Sequence, residues 1–136
     1  NPKMMDVAVP ANMRVGLAQE AIARHGWALS PAEAMSLIVK PGVTLVDLRE
    51  SSESEKQGVI PGSLHAPYSG LAANVQPGGM LHELAHATRN RIVFYCAFGE
   101  RSAMAVQAAQ DAGIAGACHI QGGLDAWKKA CGPLTG

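Results

Sequence analysis

The chain has 136 residues, with 11 acidic and 11 basic side chains and therefore no formal net charge. This length allows one domain with a buried core. The neutral balance argues against a nucleic-acid partner, for which a basic face is expected. No apolar run approaches the roughly 20 residues of a membrane span. The cysteines Cys96, Cys118 and Cys131 are far apart, so we expect no disulfide framework and a reducing, cytoplasmic compartment.

The N-terminal part of the chain is predicted to be an arm followed by two helices. Residues 1–10 carry no signal-peptide pattern and suggest a loose arm. Residues 12–25 place apolar side chains on one face and are followed by Gly26, which is typical of a helix and its end. Ser-Pro-Ala-Glu at residues 30–33 is a capped helix start, and Pro41-Gly42 ends that helix.

From residue 43 onwards, apolar runs alternate with helical patterns. Strands are predicted at 43–48, 63–67, 91–96 and 116–120. Helices are predicted at 81–88, 101–113 and 124–130, with a short helix or turn at 51–58. This alternation indicates an α/β domain with a mainly parallel sheet. Sites in such sheets form where strands end and helices begin.

Cys96 lies at such a position, because it ends the clearest strand and a tight loop follows it. A thiol becomes a good nucleophile when it ionises, and loop N–H groups, a helix N-terminus and a nearby cation all favour the thiolate. Gly99 allows the loop to turn, and Arg101 supplies the cation. The structural alternative is a cysteine that is simply buried at a strand end.

A second catalytic pattern, H-E-x-x-H, spans residues 82–86. His82 and His86 would share one helix face and could bind zinc, with Glu83 as a base. The third ligand of the known zinc-protease patterns is missing, since Arg89 and Ile92 occupy two of the required positions. We therefore expect no metal and interpret the segment as a solvated helix.

Four segments in order resemble the motifs of the rhodanese family of sulfurtransferases. They are LVDLRE (45–50), GVIPGSLHAP (58–67), YCAFGERS (95–102) and IQGGLDAW (120–127). The resemblance covers residues from about 30 to 130. It implies a rhodanese-like domain at 27–136, in which helices flank a mainly parallel sheet in three layers, after an arm and an extra helix at 1–26.

The resemblance also implies a function. Cys96 would take a sulfane sulfur from thiosulfate or a persulfide and pass it to a thiol, cyanide or protein acceptor, without a cofactor. Asp47 and Arg49 would support the site, most simply as a structural ion pair. The active-site loop that would bind the persulfide anion consists of Ala97, Phe98, Gly99, Glu100, Arg101 and Ser102.

Two alternatives remain open at this stage. Arsenate reductases and phosphatases of the same superfold use a loop one residue longer, C-x5-R, whereas four residues separate Cys96 from Arg101. A non-catalytic or redox-sensing binding module is the other alternative. Glu53 and Glu100 stand where thiosulfate-specialised members carry basic residues. This weakens the case for thiosulfate, so a persulfide is an equally good candidate for the donor.

Other residues are given structural roles. We expect Ser102 to cap its helix and brace the loop, and Phe98 to lie at the mouth of the pocket. Gly122-Gly123 are expected to pass close to the loop. His65, Trp127 and Cys118 are interpreted as structural or core residues, and Cys131 as exposed. The oligomeric state is left open by the sequence.

Overall fold

The computed structural model describes residues 19–135. Within this segment, five strands form the sheet: β1 (Ala28–Leu29), β2 (Val43–Asp47), β3 (Leu64–His65), β4 (Arg91–Tyr95) and β5 (Cys118–Ile120). The helices are α1 (19–24), α2 (Pro31–Ile38), α3 (Ser51–Gln57), α4 (Leu71–Val75), α5 (Met80–Thr88), α6 (Glu100–Asp111) and α7 (Gly123–Lys129). A 3₁₀ turn at Tyr68–Gly70 precedes α4. No helix in the described segment is long and apolar enough to cross a bilayer.

The strand order is β1-β5-β4-β2-β3, and all these neighbours pair in parallel. Strand β4 lies at the centre, and its register with β2 runs from Val43 opposite Arg91 to Asp47 opposite Tyr95. The two strands therefore end side by side. The residues that follow Asp47 and Tyr95 meet at one edge of the sheet, where ligand sites of parallel sheets form.

Alternate side chains of β4 enter two separate cores, as the two-residue period of a strand requires. Ile92 and Phe94 pack on the face covered by α1, α4, α5 and α6. Val93 and Tyr95 pack on the opposite face, against Ala34 of α2 and side chains of α7. The predicted three-layer α/β architecture, with a parallel sheet flanked by helices, is confirmed.

The extra N-terminal helix is present in the part of the chain that the structure describes. Ile22 of α1 is fully buried in the core on the face of α6, so this helix packs on the domain. Its predicted beginning at residues 12–18 and the predicted arm lie outside the described residues. Strand β1, with two residues, and helix α4, with five, were not predicted. Elements this short carry too little periodicity to be recognised in the sequence.

Candidate active site

The sulfur of Cys96 lies inside a small ring of hydrogen-bond donors. Cys96 directly follows Tyr95, the last residue of β4, and is fully buried. Its Sγ accepts hydrogen bonds from the backbone N–H of Gly99 at 3.1 Å and of Ser102 at 3.4 Å. The Ser102 hydroxyl lies 3.6 Å from the same sulfur. Converging N–H groups of this kind favour an anion at the sulfur.

The glycines around the loop explain how the chain makes this ring. Gly99 has φ +102°, and a Cβ there would lie 3.0 Å from the Gly122 nitrogen. Gly123 has φ +62°, and a Cβ there would lie 2.5 Å from the Cys96 carbonyl oxygen. The first turn of α7 can therefore approach the loop closely, as expected. Leu124 N–H donates to the Cys96 carbonyl at 2.8 Å, which anchors the loop to α7.

Helix α6 begins earlier than predicted, and this corrects the role given to Ser102. The N-cap position belongs to Gly99, whose left-handed backbone lets the helix start at Glu100. Ser102 lies inside the first turn, so it does not cap the helix. Its hydroxyl oxygen lies 3.2 Å from the Gly99 carbonyl oxygen, and its backbone N–H donates to the Cys96 sulfur, so Ser102 does brace the loop.

Arg101 forms a two-pronged ion pair with Glu53 across the mouth of the site. Nη1 and Nη2 each lie 2.8 Å from a carboxylate oxygen. The hydrogen bonds from Arg101 hold the pKa of Glu53 at about 2, and Glu53 in turn raises the pKa of Arg101 above its ordinary value. The sequence predicted the cation of the loop but not its partner.

Asp47 and Arg49 form a buried ion pair at the end of β2. Nε and Nη2 of Arg49 lie 3.0 and 2.9 Å from the two Asp47 carboxylate oxygens. Arg49 also donates to the Gly58 carbonyl at 2.7 Å, and the Ser54 hydroxyl donates to Asp47 at 3.0 Å. The pair thus ties the end of β2 to the middle and the C-terminal end of α3, the helix that carries Glu53.

A cleft of about 280 Å³ opens beside the loop. Phe98 lies at its mouth with 62% of its surface exposed, where the sequence analysis expected it. Glu100 is also exposed, on the first turn of α6. The cleft has an apolar wall and a charged rim. It is lined by Arg49, Glu53, Lys56, Gln57, Ala97, Phe98, Leu124, Asp125 and Lys128.

His119 belongs to the same site and was missed as a site residue. Its Nδ1 lies 2.8 Å from the Ser102 hydroxyl, and only 2% of its surface is exposed. Burial lowers its pKa to about 4. The signal available in the sequence was a histidine in the middle of an otherwise apolar strand, β5. Its proximity to Cys96 depends on the pairing of β5 with β4, which places His119 beside Phe94.

The H-E-x-x-H segment lies elsewhere and uses its polar atoms internally. Its helix, α5, packs near the start of β4, where His86 lines a surface pocket together with Arg91. His82 and His86 bond the carbonyls of Val75 and His82 through Nδ1, at 2.9 Å each. Glu83 accepts from the Gly78 N–H. No group of three potential metal ligands occurs between residues 19 and 135.

The remaining residues lie where the sequence analysis expected them. His65 Nε2 bonds the Arg49 carbonyl at 2.7 Å. Trp127 is fully buried, and its Nε1 donates to the Pro133 carbonyl. Cys118 is buried, which raises its pKa to about 11, and Cys131 is exposed.

Fold and site together define an α/β domain with a cysteine sulfur held in a loop of N–H donors between a central strand and a helix. Residues 30–130 match the family model of the rhodanese-like domain. The chain therefore belongs to the rhodanese-like family, as the resemblance predicted.

Three relatives show the range of this likeness. A mouse protein named thiosulfate sulfurtransferase/rhodanese-like domain-containing protein 3 is 32% identical over 100 residues, which are 70% of this chain but only 64% of that protein. A Rhodopseudomonas palustris protein of unknown function, described as a possible tyrosine phosphatase, is 31% identical with a TM-score of 0.81 and covers 99% of both chains. A human single-domain sulfurtransferase is 28% identical with a TM-score of 0.63, over 76% of this chain and 96% of its own.

Proposed function

We propose that this protein is a sulfurtransferase that carries a sulfane sulfur on Cys96. The observation that carries the proposal is the Cys96 sulfur at the focus of two backbone N–H groups, with the Ser102 hydroxyl beside it. Such a ring favours both the attacking thiolate and the persulfide anion that replaces it. Among residues 19–135, no backbone N–H groups converge on the sulfur of Cys118, a simply buried cysteine; its thiol faces the Ile92 carbonyl.

The reaction proceeds by two displacements. The Cys96 thiolate attacks the outer sulfur of the donor, the sulfur–sulfur bond of the donor breaks, and the remainder leaves as a thiolate, or as sulfite if the donor is thiosulfate. A thiol, cyanide or protein thiolate then attacks the terminal sulfur of the Cys96 persulfide and releases the Cys96 thiolate. Each step exchanges one bond for another, so ping-pong kinetics follow.

The charges at the mouth favour an organic persulfide as donor over thiosulfate. Nη1 and Nη2 of Arg101 already donate to the carboxylate of Glu53. A thiosulfate dianion would have to compete with this carboxylate for the guanidinium. An organic persulfide has one negative charge, on its terminal sulfur. Its organic part can lie in the cleft beside Phe98 and Leu124.

The first experiment is the intact mass of the protein after incubation with an organic persulfide or thiosulfate, followed by cyanide. We expect a gain of one sulfur atom that maps to Cys96, is removed by cyanide and is absent from Cys96→Ser. Cys118→Ser is the matched control and should still gain sulfur. If no donor loads Cys96, the proposal is wrong and the binding-module alternative takes its place.

A phosphatase is the second candidate, because the Rhodopseudomonas palustris protein that matches the whole chain is described as a possible tyrosine phosphatase. The pairing of Arg101 with Glu53 and the short C-x4-R loop support sulfur transfer instead. Assays with an aryl phosphate and with arsenate test this candidate. Turnover of either that depends on Cys96, without sulfur loading, would favour the second candidate.

We also propose that the protein acts in a reducing compartment such as the cytoplasm. The cysteines at positions 96, 118 and 131 are all unpaired. Persulfide chemistry requires Cys96 to remain a thiol between turnovers, which a reducing compartment maintains.

A further inference from the structure

The Ser102 hydroxyl and the His119 ring form a buried row next to Cys96. The two displacement steps proposed above give His119 no role. His119 Nδ1 and Ser102 Oγ are 2.8 Å apart, and Ser102 Oγ is 3.6 Å from the Cys96 sulfur. Ser102 is fully buried and His119 almost so. Buried polar groups are costly unless they are hydrogen-bonded, so the position of each proton in this row matters.

The Ser102 hydroxyl has one proton and three neighbours that can accept it: the Cys96 sulfur, the His119 Nδ1 and the Gly99 carbonyl. The Gly99 carbonyl already accepts the Ala103 N–H at 3.1 Å, and a sulfur anion is a stronger acceptor than this neutral carbonyl. Once Cys96 is ionised, the competition that matters is between sulfur and imidazole, and the tautomer of His119 decides it.

The two neutral tautomers have opposite effects on a sulfur anion. If His119 carries its proton on Nε2, the Ser102 hydroxyl donates to Nδ1 and turns its lone pairs towards the sulfur. If the proton is on Nδ1, the imidazole donates to the hydroxyl oxygen, and the hydroxyl proton is free to point at the sulfur. Only the second arrangement stabilises the Cys96 thiolate.

A proton relay from Cys96 through Ser102 to His119 is the competing reading of this row. It would create an imidazolium in a buried site. Burial lowers the pKa of His119 to about 4, so the ring stays neutral near pH 7 and does not keep the proton. Burial of the imidazole therefore favours hydrogen bonding over proton transfer.

We propose that His119 is a positioning residue, whose Nδ1–H orients the Ser102 hydroxyl so that it donates to the sulfur anion of Cys96. This inference rests on the proposed function, since it concerns the thiolate that attacks the sulfur donor in that reaction. Arg101, the charged residue of the loop, is paired with Glu53, and the variants below leave that pair unchanged.

The test is a pH titration of the ultraviolet absorbance of the Cys96 thiolate. It is made in protein carrying Cys131→Ser, with the titration of Cys96→Ser subtracted. His119→Phe and Ser102→Ala should each raise the midpoint by about one pH unit, the size expected for one hydrogen bond to a charged group. The double variant should show no larger shift than either single variant, because both remove the same donor.

A pair of amide variants separates positioning from packing. His119→Asn places an N–H near the position of Nδ1 and should return the midpoint to near the wild-type value. His119→Gln places its N–H near the position of Nε2 and should behave like His119→Phe. This pair decides the matter even if the phenylalanine variant fails to fold, which circular dichroism would reveal.

Two results would overturn the proposal: an unchanged midpoint when the Nδ1 donor is removed, or shifts of His119 and Ser102 variants that add in the double variant. The titration requires no sulfur donor. A protein that never loads sulfur but shows the predicted shifts would contradict the proposed function alone, and a protein that loads sulfur without these shifts would contradict only the role of His119.

Discussion

Glu53 and Arg101 lie 48 residues apart in the chain, yet two hydrogen bonds of 2.8 Å join them across the mouth of the cysteine loop. The carboxylate comes from α3, which follows the end of β2, and the guanidinium comes from the first turn of α6. Because β2 and β4 pair in parallel and end together, the two helix starts meet. The carboxylate of Glu53 therefore offsets the positive charge that Arg101 brings to the cysteine loop.

The first prediction concerns the choice of donor. Glu53→Gln keeps one hydrogen bond to Arg101 but removes the negative charge, so thiosulfate should gain more than an organic persulfide. We expect kcat/KM for thiosulfate to rise about tenfold, and that for a persulfide to change much less, in steady-state assays. Glu20→Gln, which removes an equal charge from exposed α1, is the control. Equal changes for both donors would contradict this reading of Glu53.

The same ion pair makes a pH-dependent contribution to stability. The folded-state pKa of Glu53, about 2, lies below the ordinary value of 4.5. The stability it adds is therefore present above pH 4.5 and is lost as the pH falls towards 2. Because about a third of each side chain is exposed, solvent screening reduces the contribution to about 1 kcal/mol. Urea denaturation of the wild type and Glu53→Gln should differ by this amount near pH 7 and converge near pH 2.

The close approach of α7 to the loop makes Gly123 sensitive to substitution. Gly123→Ala combines a positive φ with a Cβ 2.5 Å from the Cys96 carbonyl oxygen, so the loop must move. We expect a loss of about 2–4 kcal/mol in unfolding free energy and most of the sulfur-transfer activity. Gly113→Ala is the matched control, since φ is +93° there but no atom lies within 4 Å of the new Cβ.

Gly113→Ala should lose about 1–2 kcal/mol for the left-handed backbone and keep its activity. Urea denaturation and persulfide loading of both variants make the comparison. If Gly123→Ala behaves like Gly113→Ala, the contact between α7 and the loop is not what holds the active-site geometry.

The buried pair at the end of β2 should respond asymmetrically to substitution. Asp47→Asn leaves the Arg49 charge buried without compensation, which costs about 3–5 kcal/mol. Removing both charges, as in Asp47→Asn with Arg49→Met, should recover a large part of this loss. Denaturant melts of the single and double variants measure the difference. If the double variant loses as much unfolding free energy as the two single variants together, the pair acts through its hydrogen bonds to Gly58 and Ser54 instead.

Much of the fold and the centre of the site could be predicted from the sequence. Strands β2 and β4 are short apolar runs rich in β-branched residues, and Ser30 with Glu33 is a local capping box that the structure contains. The position of Cys96 between a strand and a helix, and the need for glycine at position 99, follow from neighbouring residues in the chain. Local conformational preferences decide these features, so a single segment carries the information.

The pairing of distant side chains could not be predicted in this way. In the sequence, Glu53 was only an acidic residue at a position where thiosulfate-specialised members carry a basic one, and His119 was not assigned to the site. The parallel register of β5 with β4 brings His119 to Ser102, and the joint ending of β2 and β4 brings Glu53 to Arg101. The sequence by itself determined where the cysteine loop lies, because turn and strand preferences act between neighbours. The tertiary structure alone decided which charges and protons surround its sulfur, because those contacts form only when separate strands pack side by side.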